Sequence, residues 1–408
     1  MNRMPMPVAA ALVLLASGCD KTAGDAPAGA AAFRPVFASS PEEVRAFFAA
    51  GGGGRAKLAF VDRTGDAGSL CFVDFSEASP RIRVIAAAVD PKVPVISPDG
   101  DWITYASGPG AEAGSSLMAR SSAYLVRMEE GAKPLLLAAD SACEPRFVQN
   151  AESGKLAVLY TTLSPNLGWE GFGRTLKMTL DVSGASPIKG AVETVSAGGS
   201  YTGGLSYDGS HLCGGGGHVA MLDLRRPDAR PETLSHNLVQ ACNASVSSSR
   251  IFTDAVMYLN SPKDSDPSLN GGKPWGEWQA ILIGGGSVPR GIRKGFLYPL
   301  AFARDPETVP PSVSAIKWHH AEWSNHPYFA AATLNVDRYF RGGGGIVNAN
   351  LQERIYFINL RDSAYLEALR PDTLEYRGRS SGGFFWPWLW VEVPEGFRER
   401  DDWLEPRT

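Results

Sequence analysis

Hydrophobic residues occur in short runs along most of the chain, and polar turns separate these runs from Lys57 onward. The runs 57–63 and 70–75 are rich in Leu, Phe and Val, and the connecting segments are rich in Gly, Pro, Asp and Ser. Short runs separated by such residues are typical of antiparallel β-strands joined by turns. The pattern therefore predicts an all-β domain.

One strand–turn–strand unit recurs in this region. In its clearest copy, Ser97-Pro98-Asp99-Gly100 separates two strands, and the glycine can adopt the positive φ that a tight turn requires. Divergent copies follow at 146–162, 203–212, 243–259 and 319–334. The equivalent positions of the five copies are Ser97, Val148, Ser206, Ser247 and Ser324, and the shortest spacing, between Ser206 and Ser247, is 41 residues. A propeller blade has about 40–45 residues, so the repeat predicts radially arranged four-stranded sheets, with insertions in the longer units.

A single short helix is predicted before the first strand. Ser40 can cap it, Pro41 fits its first turn, and Glu43 can reach back to complete a capping box. The apolar and charged run that follows ends at the glycines 51–54.

The turn Ser97–Gly100 and the strand that follows it, 101–105, resemble the repeat of TolB-type β-propellers. The segments 322–324 and 355–360 fit the same template, and the resemblance covers roughly residues 57–372. It implies a six-bladed propeller of four-stranded antiparallel blades. It implies little about the ligand, because propellers support many functions.

The blade count predicts how the ring closes. Segment 57–88 supplies three strands without a first strand, and the C-terminal run 384–393 is a strand with nothing after it to pair with. We therefore expect the C-terminal strand to complete the first blade, since closure removes exposed sheet edges. Pro387 lacks an N–H donor and predicts a bulge or interruption there. The propeller domain is expected over 40–400, with blades at 57–88 plus 384–393, 93–139, 143–197, 201–236, 242–300 and 319–372.

The first residues of the chain have the pattern of an export signal. Arg3 precedes an apolar run, 8–16, that is too short to span a bilayer, and small residues lead to Cys19. With this cysteine, the N-terminus resembles the signal peptide of a bacterial lipoprotein. The resemblance implies a signal peptide over 1–18, a diacylglycerol on Cys19 and a flexible tether over 19–39. The chain would then lie at the cell envelope, on the periplasmic side of either membrane or at the cell surface. The alternative is an ordinary secretory signal with an incidental cysteine.

The charge and hydropathy of the chain limit the kinds of partner that it can bind. The formal net charge of −4 argues against general nucleic-acid binding, which requires a basic face. After Cys19 no run of 18 apolar residues occurs, so we expect that part to be soluble.

The remaining cysteines are Cys71, Cys143, Cys213 and Cys242, and their spacing matches no metal motif. Their disulfide state stays open, although Cys143 and Cys242 occupy equivalent positions two blades apart, which is too far for a bridge.

Strand order predicts where a ligand would bind. The largest insertions fall between the second and third strands of a blade, which places them on one face of the disc. They are 106–121, 163–174, 260–275 and 335–353. The residues that enter each first strand reach the axis on the same face and would line a polar funnel. We predict as funnel residues Lys92, Glu144, Tyr201, Asn243, His319, His320 and Glu322. Alternatively, some of them cap the central channel and hold water.

Aromatic and charged residues in the insertions are candidates for partner binding. They are Trp169, Arg174, Trp275, Arg338 and Tyr339. Such side chains can stack on sugars or anchor a protein partner, and they can also pack the loops against each other.

No catalytic motif stands out, and no metal or other cofactor is predicted. Adjacent histidines in an extended segment, such as His319 and His320, point to opposite faces and do not preform a metal site. We therefore favour a binding or scaffold module for a protein or glycan partner. The alternative is a glycan-active enzyme, which would need two carboxylates, Glu144 and Glu322, to converge in the funnel.

Overall fold

The computed structural model describes most of the chain. The described residues are 34–63, 68–86, 91–107, 121–139, 142–150, 155–163, 172–184, 186–197, 202–217, 219–226, 228–234, 241–260, 280–285, 292–296, 313–342, 345–372 and 384–404. The predicted signal peptide, Cys19, Tyr201, Trp169 and Trp275 lie outside them.

A short strand and a helix precede the propeller: β1 (Pro35–Phe37) and α1 (Pro41–Ala50). The predicted capping box is confirmed. The Glu43 amide donates to Ser40 Oγ at 3.2 Å, and the Ser40 amide donates to the Glu43 carboxylate at 2.7 Å. These bonds favour the carboxylate form and lower the pKa of Glu43. On its inner side α1 buries Val44 and Phe48.

Six antiparallel sheets follow, and the first three blades are taken in chain order. Blade 1 contains β2 (Ala56–Asp62), β3 (Ser69–Asp74) and β4 (Arg83–Ala86). Blade 2 contains β5 (Pro91–Ile96), β6 (Trp102–Ser107), β7 (Ser122–Arg127) and β8 (Leu135–Ala138). Blade 3 contains β9 (Ala142–Phe147), β10 (Lys155–Leu163), β11 (Phe172–Asp181) and β12 (Ile188–Ser196).

The remaining blades repeat this order. Blade 4 contains β13 (Thr202–Leu205), β14 (His211–Gly217), β15 (Val219–Asp223) and β16 (Glu232–Thr233). Blade 5 contains β17 (Ala241–Val246), β18 (Ala255–Asn260), β19 (Ala280–Gly285) and β20 (Ile292–Phe296). Blade 6 contains β21 (Val313–Trp323), β22 (Phe329–Gly342), β23 (Gly345–Asn359) and β24 (Ala364–Pro371). At the junction of blades 4 and 5, β14 also pairs with β17.

The C-terminal strand closes the ring, as the sequence predicts. β25 (Phe384–Val391) is the innermost strand of blade 1 and pairs antiparallel with β2, from Ala56 opposite Val391 to Asp62 opposite Phe384. The predicted irregularity at Pro387 is also confirmed, because the register shifts between Ala59 and Val61, opposite that proline. Each blade contacts the next, and blade 6 contacts blade 1.

The hydroxyl of a buried serine stabilises the repeated turn. Ser97 Oγ accepts from the Trp102 amide at 3.0 Å and donates to the Asp99 carboxylate. In blade 4, Ser206 Oγ accepts from the His211 amide at 2.9 Å and donates to Asp208 at 2.6 Å.

The propeller has two faces. We call the end that carries these turns between strand 1 and strand 2 of each blade the turn face. The opposite end, where strands 2 and 3 connect, is the loop face.

Blade 6 departs from the expected repeat in two ways. β1 pairs with β24 as a fifth, outermost strand, with Pro35 opposite Pro371. The expectation of an inserted loop over 335–353 is wrong, because β22 and β23 remain paired from Asn335 opposite Glu353 to Gly342 opposite Gly345. Paired strands satisfy their backbone donors and acceptors within the hairpin, so this insertion extends the blade.

Two large hydrophobic cores hold the blades together. One joins α1 to blades 1, 5 and 6, and the Phe48 ring meets the rings of Phe329 and Phe357 with centroids 5.0 and 5.1 Å apart. The other joins blades 1, 2 and 3 and includes Trp388 and Trp390 of β25. Within the described ranges, no helix is both long and apolar enough to cross a membrane.

The Ser97–Gly100 turn provides a test of how β25 packs. Gly100 has φ +79° and a Cβ there would lie 2.7 Å from the Trp390 ring, whereas Gly131, with φ +73°, has nothing within 4 Å of such a Cβ. We expect Gly131→Ala to cost about 1–2 kcal/mol of unfolding free energy from φ alone. Gly100→Ala should cost about 1–3 kcal/mol more because of the overlap with Trp390. Urea unfolding would measure both, and equal losses would contradict this packing.

Candidate binding site at the propeller axis

The innermost strand of every blade carries a bulge near the loop face. At each bulge one residue has a positive φ, and these residues are Val93, Glu144, Gly204, Asn243, His320 and Trp386. Positive φ is uncommon for residues other than glycine and is retained only where the surroundings fix it. The bulges therefore form a ring of constrained backbone around the axis. Several predicted funnel residues lie in it or directly beside it.

The loop-face end of the axis is crowded with rings and charged groups. His320 is buried, and its ring centroid lies 5.1 Å from that of Trp386 and 5.5 Å from that of His319. The Arg63 guanidinium lies over the Trp386 ring at 4.6 Å. Burial, reinforced by the charge of Arg63, lowers the pKa of His320 to about 3. This histidine is therefore neutral at physiological pH.

Three other predicted funnel residues have defined places. The Asn243 amide donates to the Ala321 carbonyl at 2.5 Å, so it joins blade 5 to blade 6. The Glu144 side chain is 6% exposed and thus almost fully buried. Lys92 is partly exposed at the start of β5.

A buried ion pair crosses the axis below this ring. Arg146 of β9 donates from both terminal nitrogens to the two carboxylate oxygens of Glu322 of β21, each at 2.8 Å. The two side chains are 3% and 4% exposed. Because blades 3 and 6 are opposite each other in a ring of six, a direct bond between them must pass through the central channel. The Arg146 guanidinium also lies 5.6 Å from the Trp388 ring of blade 1.

This pair fixes the role of Glu322 in the fold. Sequence reasoning placed Glu322 in the funnel and did not identify Arg146 as its partner. A signal was present: Arg146 and Glu322 each lie two residues before the aligned repeat positions Val148 and Ser324. Two opposite charges at equivalent positions of opposite blades indicate a contact across the axis.

The other end of the axis holds a cavity that sequence reasoning missed. It has a volume of about 180 Å³ and opens at the turn face. Five blades each contribute the residue that directly follows an aligned repeat position: Pro98, Gln149, Tyr207, Ser248 and Asn325. The segment after β25 adds Val393, Phe397 and Glu399, and Arg250 and Pro327 complete the lining.

The segment after β25 is held firmly on the turn face. Asn325 donates to the Val391 carbonyl at 2.9 Å and accepts from the Val391 amide at 2.8 Å. The Glu399 carboxylate accepts from the Arg250 amide at 3.0 Å, from Trp403 Nε1 at 2.8 Å and from the Ser249 hydroxyl. Asn325 of blade 6 thus holds the end of β25, and Ser249 and Arg250 of blade 5 hold Glu399, so the cavity has a well-defined wall.

The candidate partner residues lie away from the axis. Arg174 is exposed near the loop-face end of β11, and its amide donates to Thr162 Oγ1 at 2.9 Å. Arg338 and Tyr339 lie on β22, opposite Ala349 and Asn348 of β23.

The cysteines whose side chains are described are buried free thiols, namely Cys71, Cys143 and Cys213. Burial raises the pKa of Cys71 and of Cys213 to about 12 and also raises that of Cys143. In the described part of the chain, no three His, Cys, Asp or Glu side chains come together in a way that could hold a metal ion.

The axial ion pair predicts a large coupling between two distant residues. Glu322→Gln and Arg146→Met should each cost about 3–5 kcal/mol of unfolding free energy, because each leaves a buried group without its partner. The double variant should cost much less than the sum. The exposed pair Arg55–Glu392, 60% and 38% exposed, is the control and should couple by about 0–1 kcal/mol. Additive losses at Arg146 and Glu322 in a double-mutant cycle would disprove the contact.

Comparison with known proteins gives a likeness at the level of fold. No protein-family model and no curated protein matches the chain. A TolB-like structure from Agrobacterium tumefaciens is similar over 83% of this chain and 98% of that chain, at 11% identity and a TM-score of 0.41. A periplasmic gluconolactonase from Pseudomonas aeruginosa is similar over 83% and 100%, at 11% identity and a TM-score of 0.40. The chain's own sheet topology identifies it as a six-bladed β-propeller, the fold that its TolB-type repeat predicts.

Proposed function

We propose that this chain is a lipid-anchored binding protein of the bacterial cell envelope, and that its loop face engages a protein or glycan partner. The predicted lipid on Cys19 would hold it at a membrane, and the residues after Cys19 would hold the propeller off the surface. Loops carried by a rigid scaffold commonly form binding surfaces. In this proposal the blades form the rigid scaffold, and the connections between their second and third strands bind the partner.

The observation that carries this proposal is the Arg146–Glu322 pair at the axis. With both carboxylate oxygens bound to the guanidinium, these two buried charges hold opposite blades together. A disc held in this way is a rigid platform, and its central channel is closed to a substrate that would have to pass through it.

The same pair disfavours the glycan-cleaving alternative. Such enzymes require two carboxyl groups at the scissile bond, one that donates a proton and one that acts as base or nucleophile. Glu322 was one of the two candidates. Both of its carboxylate oxygens accept hydrogen bonds from Arg146, so neither faces a sugar to which it could donate a proton. Its oxygens are already occupied as acceptors, so it is equally poorly placed to attack a sugar.

Site-specific photo-crosslinking in intact cells would test the binding role. We expect a crosslinking residue at position 174 on the loop face to capture a partner. The same residue at position 133, an exposed site on the turn face, should not. Cys19→Ser should release the protein from the membrane fraction and reduce the adduct several-fold, because the anchor no longer concentrates it beside the partner. Equal capture at both positions would contradict the loop-face assignment, and membrane retention of Cys19→Ser would contradict the anchor.

A further inference from the structure

The turn-face cavity contains a cation that no internal carboxylate neutralises. The Arg250 guanidinium lies over the Tyr207 ring at 5.0 Å, and its backbone amide is held by Glu399. Among the described residues, the contact with Tyr207 is the one that this guanidinium makes, and it forms no hydrogen bond or ion pair with them. Stacking on a ring orients a guanidinium while leaving its N–H donors available in the plane. Arg250 is an exposed residue, and its contact with Tyr207 places the guanidinium at the solvent-exposed part of the cavity wall.

The obvious internal partner for Arg250 is already engaged. Glu399 also lines the cavity, but its two carboxylate oxygens accept from Ser249, Trp403 and the Arg250 backbone. The bonds from Ser249 and Arg250 attach the C-terminal segment to blade 5, and the bond from Trp403 lies within that segment. Glu399 therefore has a structural role, and the side-chain N–H donors of Arg250 remain available for another acceptor.

A buried hydroxyl in the same cavity also lacks a partner. Ser248 lines the cavity and is 4% exposed, and its Oγ forms no hydrogen bond with any described residue. Buried polar groups in folded proteins are nearly always hydrogen-bonded, so an exception at a cavity wall calls for an external partner. Ser248 belongs to the ring of residues that follow the aligned repeat positions, which places it close to the axis.

The remaining wall is mainly apolar and limits the size of a ligand. Pro98, Pro327, Val393 and Phe397 supply carbon surface, and the amide of Gln149 adds a further polar group. A volume of about 180 Å³ corresponds to roughly six water molecules at ~30 Å³ each. Apolar walls with a few polar groups are characteristic of sites for small organic molecules. On the loop-face side, the Arg146–Glu322 pair lies across the axis, so a ligand can enter only from the turn face.

We propose that this cavity binds the carboxylate of a small, partly apolar molecule, with Arg250 as its cation and Ser248 as its hydroxyl partner. A guanidinium matches a carboxylate with two parallel N–H donors. One arginine, with the charge of Glu399 nearby, suits a monoanion and disfavours a phosphate dianion. The carboxylate can belong to a free acid or to the C-terminus of a peptide. This site is separate from the loop face, so it can be present whether or not position 174 captures a partner.

Isothermal titration calorimetry on the full chain would test the proposal with benzoate. We expect benzoate to bind at millimolar concentration or tighter, and its neutral isostere benzamide and the dianion phenylphosphonate to bind at least tenfold more weakly. A short peptide with a free C-terminus, compared with its amidated form, would show whether a chain terminus is accepted. Absence of benzoate binding would overturn the proposal, and so would equal affinity for benzamide or tighter binding of phenylphosphonate.

Variants of the cavity residues would show which side chains bind benzoate. Arg250→Gln should weaken benzoate binding at least tenfold, whereas Arg230→Gln, an exposed arginine outside the cavity, should leave it unchanged. Ser248→Ala should weaken binding severalfold without lowering the thermal unfolding temperature, because the hydroxyl has no partner in the fold to lose. Unchanged affinity in Arg250→Gln would overturn the assignment of the cation. A marked loss of stability in Ser248→Ala, with affinity unchanged, would show that the hydroxyl is structural.

Discussion

The pairing of β25 with β2 is the interaction on which the rest of the structure depends. It supplies the innermost strand of blade 1, and without it that blade would lack its edge at the axis. Closed sheets leave no innermost edge exposed to water or to other chains. Because this pairing closes the ring, it also fixes which blades lie opposite each other across the axis. Blades 3 and 6 are opposite each other only in a closed ring of six, and Arg146 reaches Glu322 only under that condition.

The axis is divided by this ion pair into two ends of different character. The loop-face end is lined by bulged backbone and by groups that pack against each other, such as His320 and Trp386. The turn-face end is a cavity whose wall includes the segment that follows the closing strand. Burying two charges costs desolvation energy, which the bidentate hydrogen bonds and the attraction of the two charges in the low-dielectric interior partly offset. We infer that the pair contributes mainly to the fixed arrangement of opposite blades.

The parts of the fold that the sequence predicts are those that rest on local chemistry. The capping box needs only Ser40 and Glu43, and the repeated turn needs a serine and an aspartate at fixed spacing, as in Ser97 and Asp99. Ring closure was predictable because an unpaired strand at one end of the chain matched a missing strand at the other.

The parts that the sequence did not predict arise from contacts between distant segments. Arg146 and Glu322 are separated by 176 positions, and only a correct alignment of divergent repeats brings them together. The cavity depends on how residues beyond β25 fold back, which Glu399 fixes through bonds to Ser249 and Arg250. The pairing of β1 with β24 involves only three residues, too few for a recognisable pattern. The predicted roles of Cys19, Trp169 and Trp275 stay predictions.

An engineered disulfide would test ring closure most directly. Ala56 lies opposite Val391, and the Glu392 amide donates to the Arg55 carbonyl at the neighbouring position. In an antiparallel ladder this makes Ala56 and Val391 a non-hydrogen-bonded pair, with Cα atoms about 4.5 Å apart, which suits a disulfide. Ala56→Cys with Val391→Cys should form the bond in the folded protein and raise its unfolding temperature, whereas Ala56→Cys with Leu389→Cys should not. No bond in the first variant, or equal bonding in both, would contradict a ring closed by the C-terminal strand.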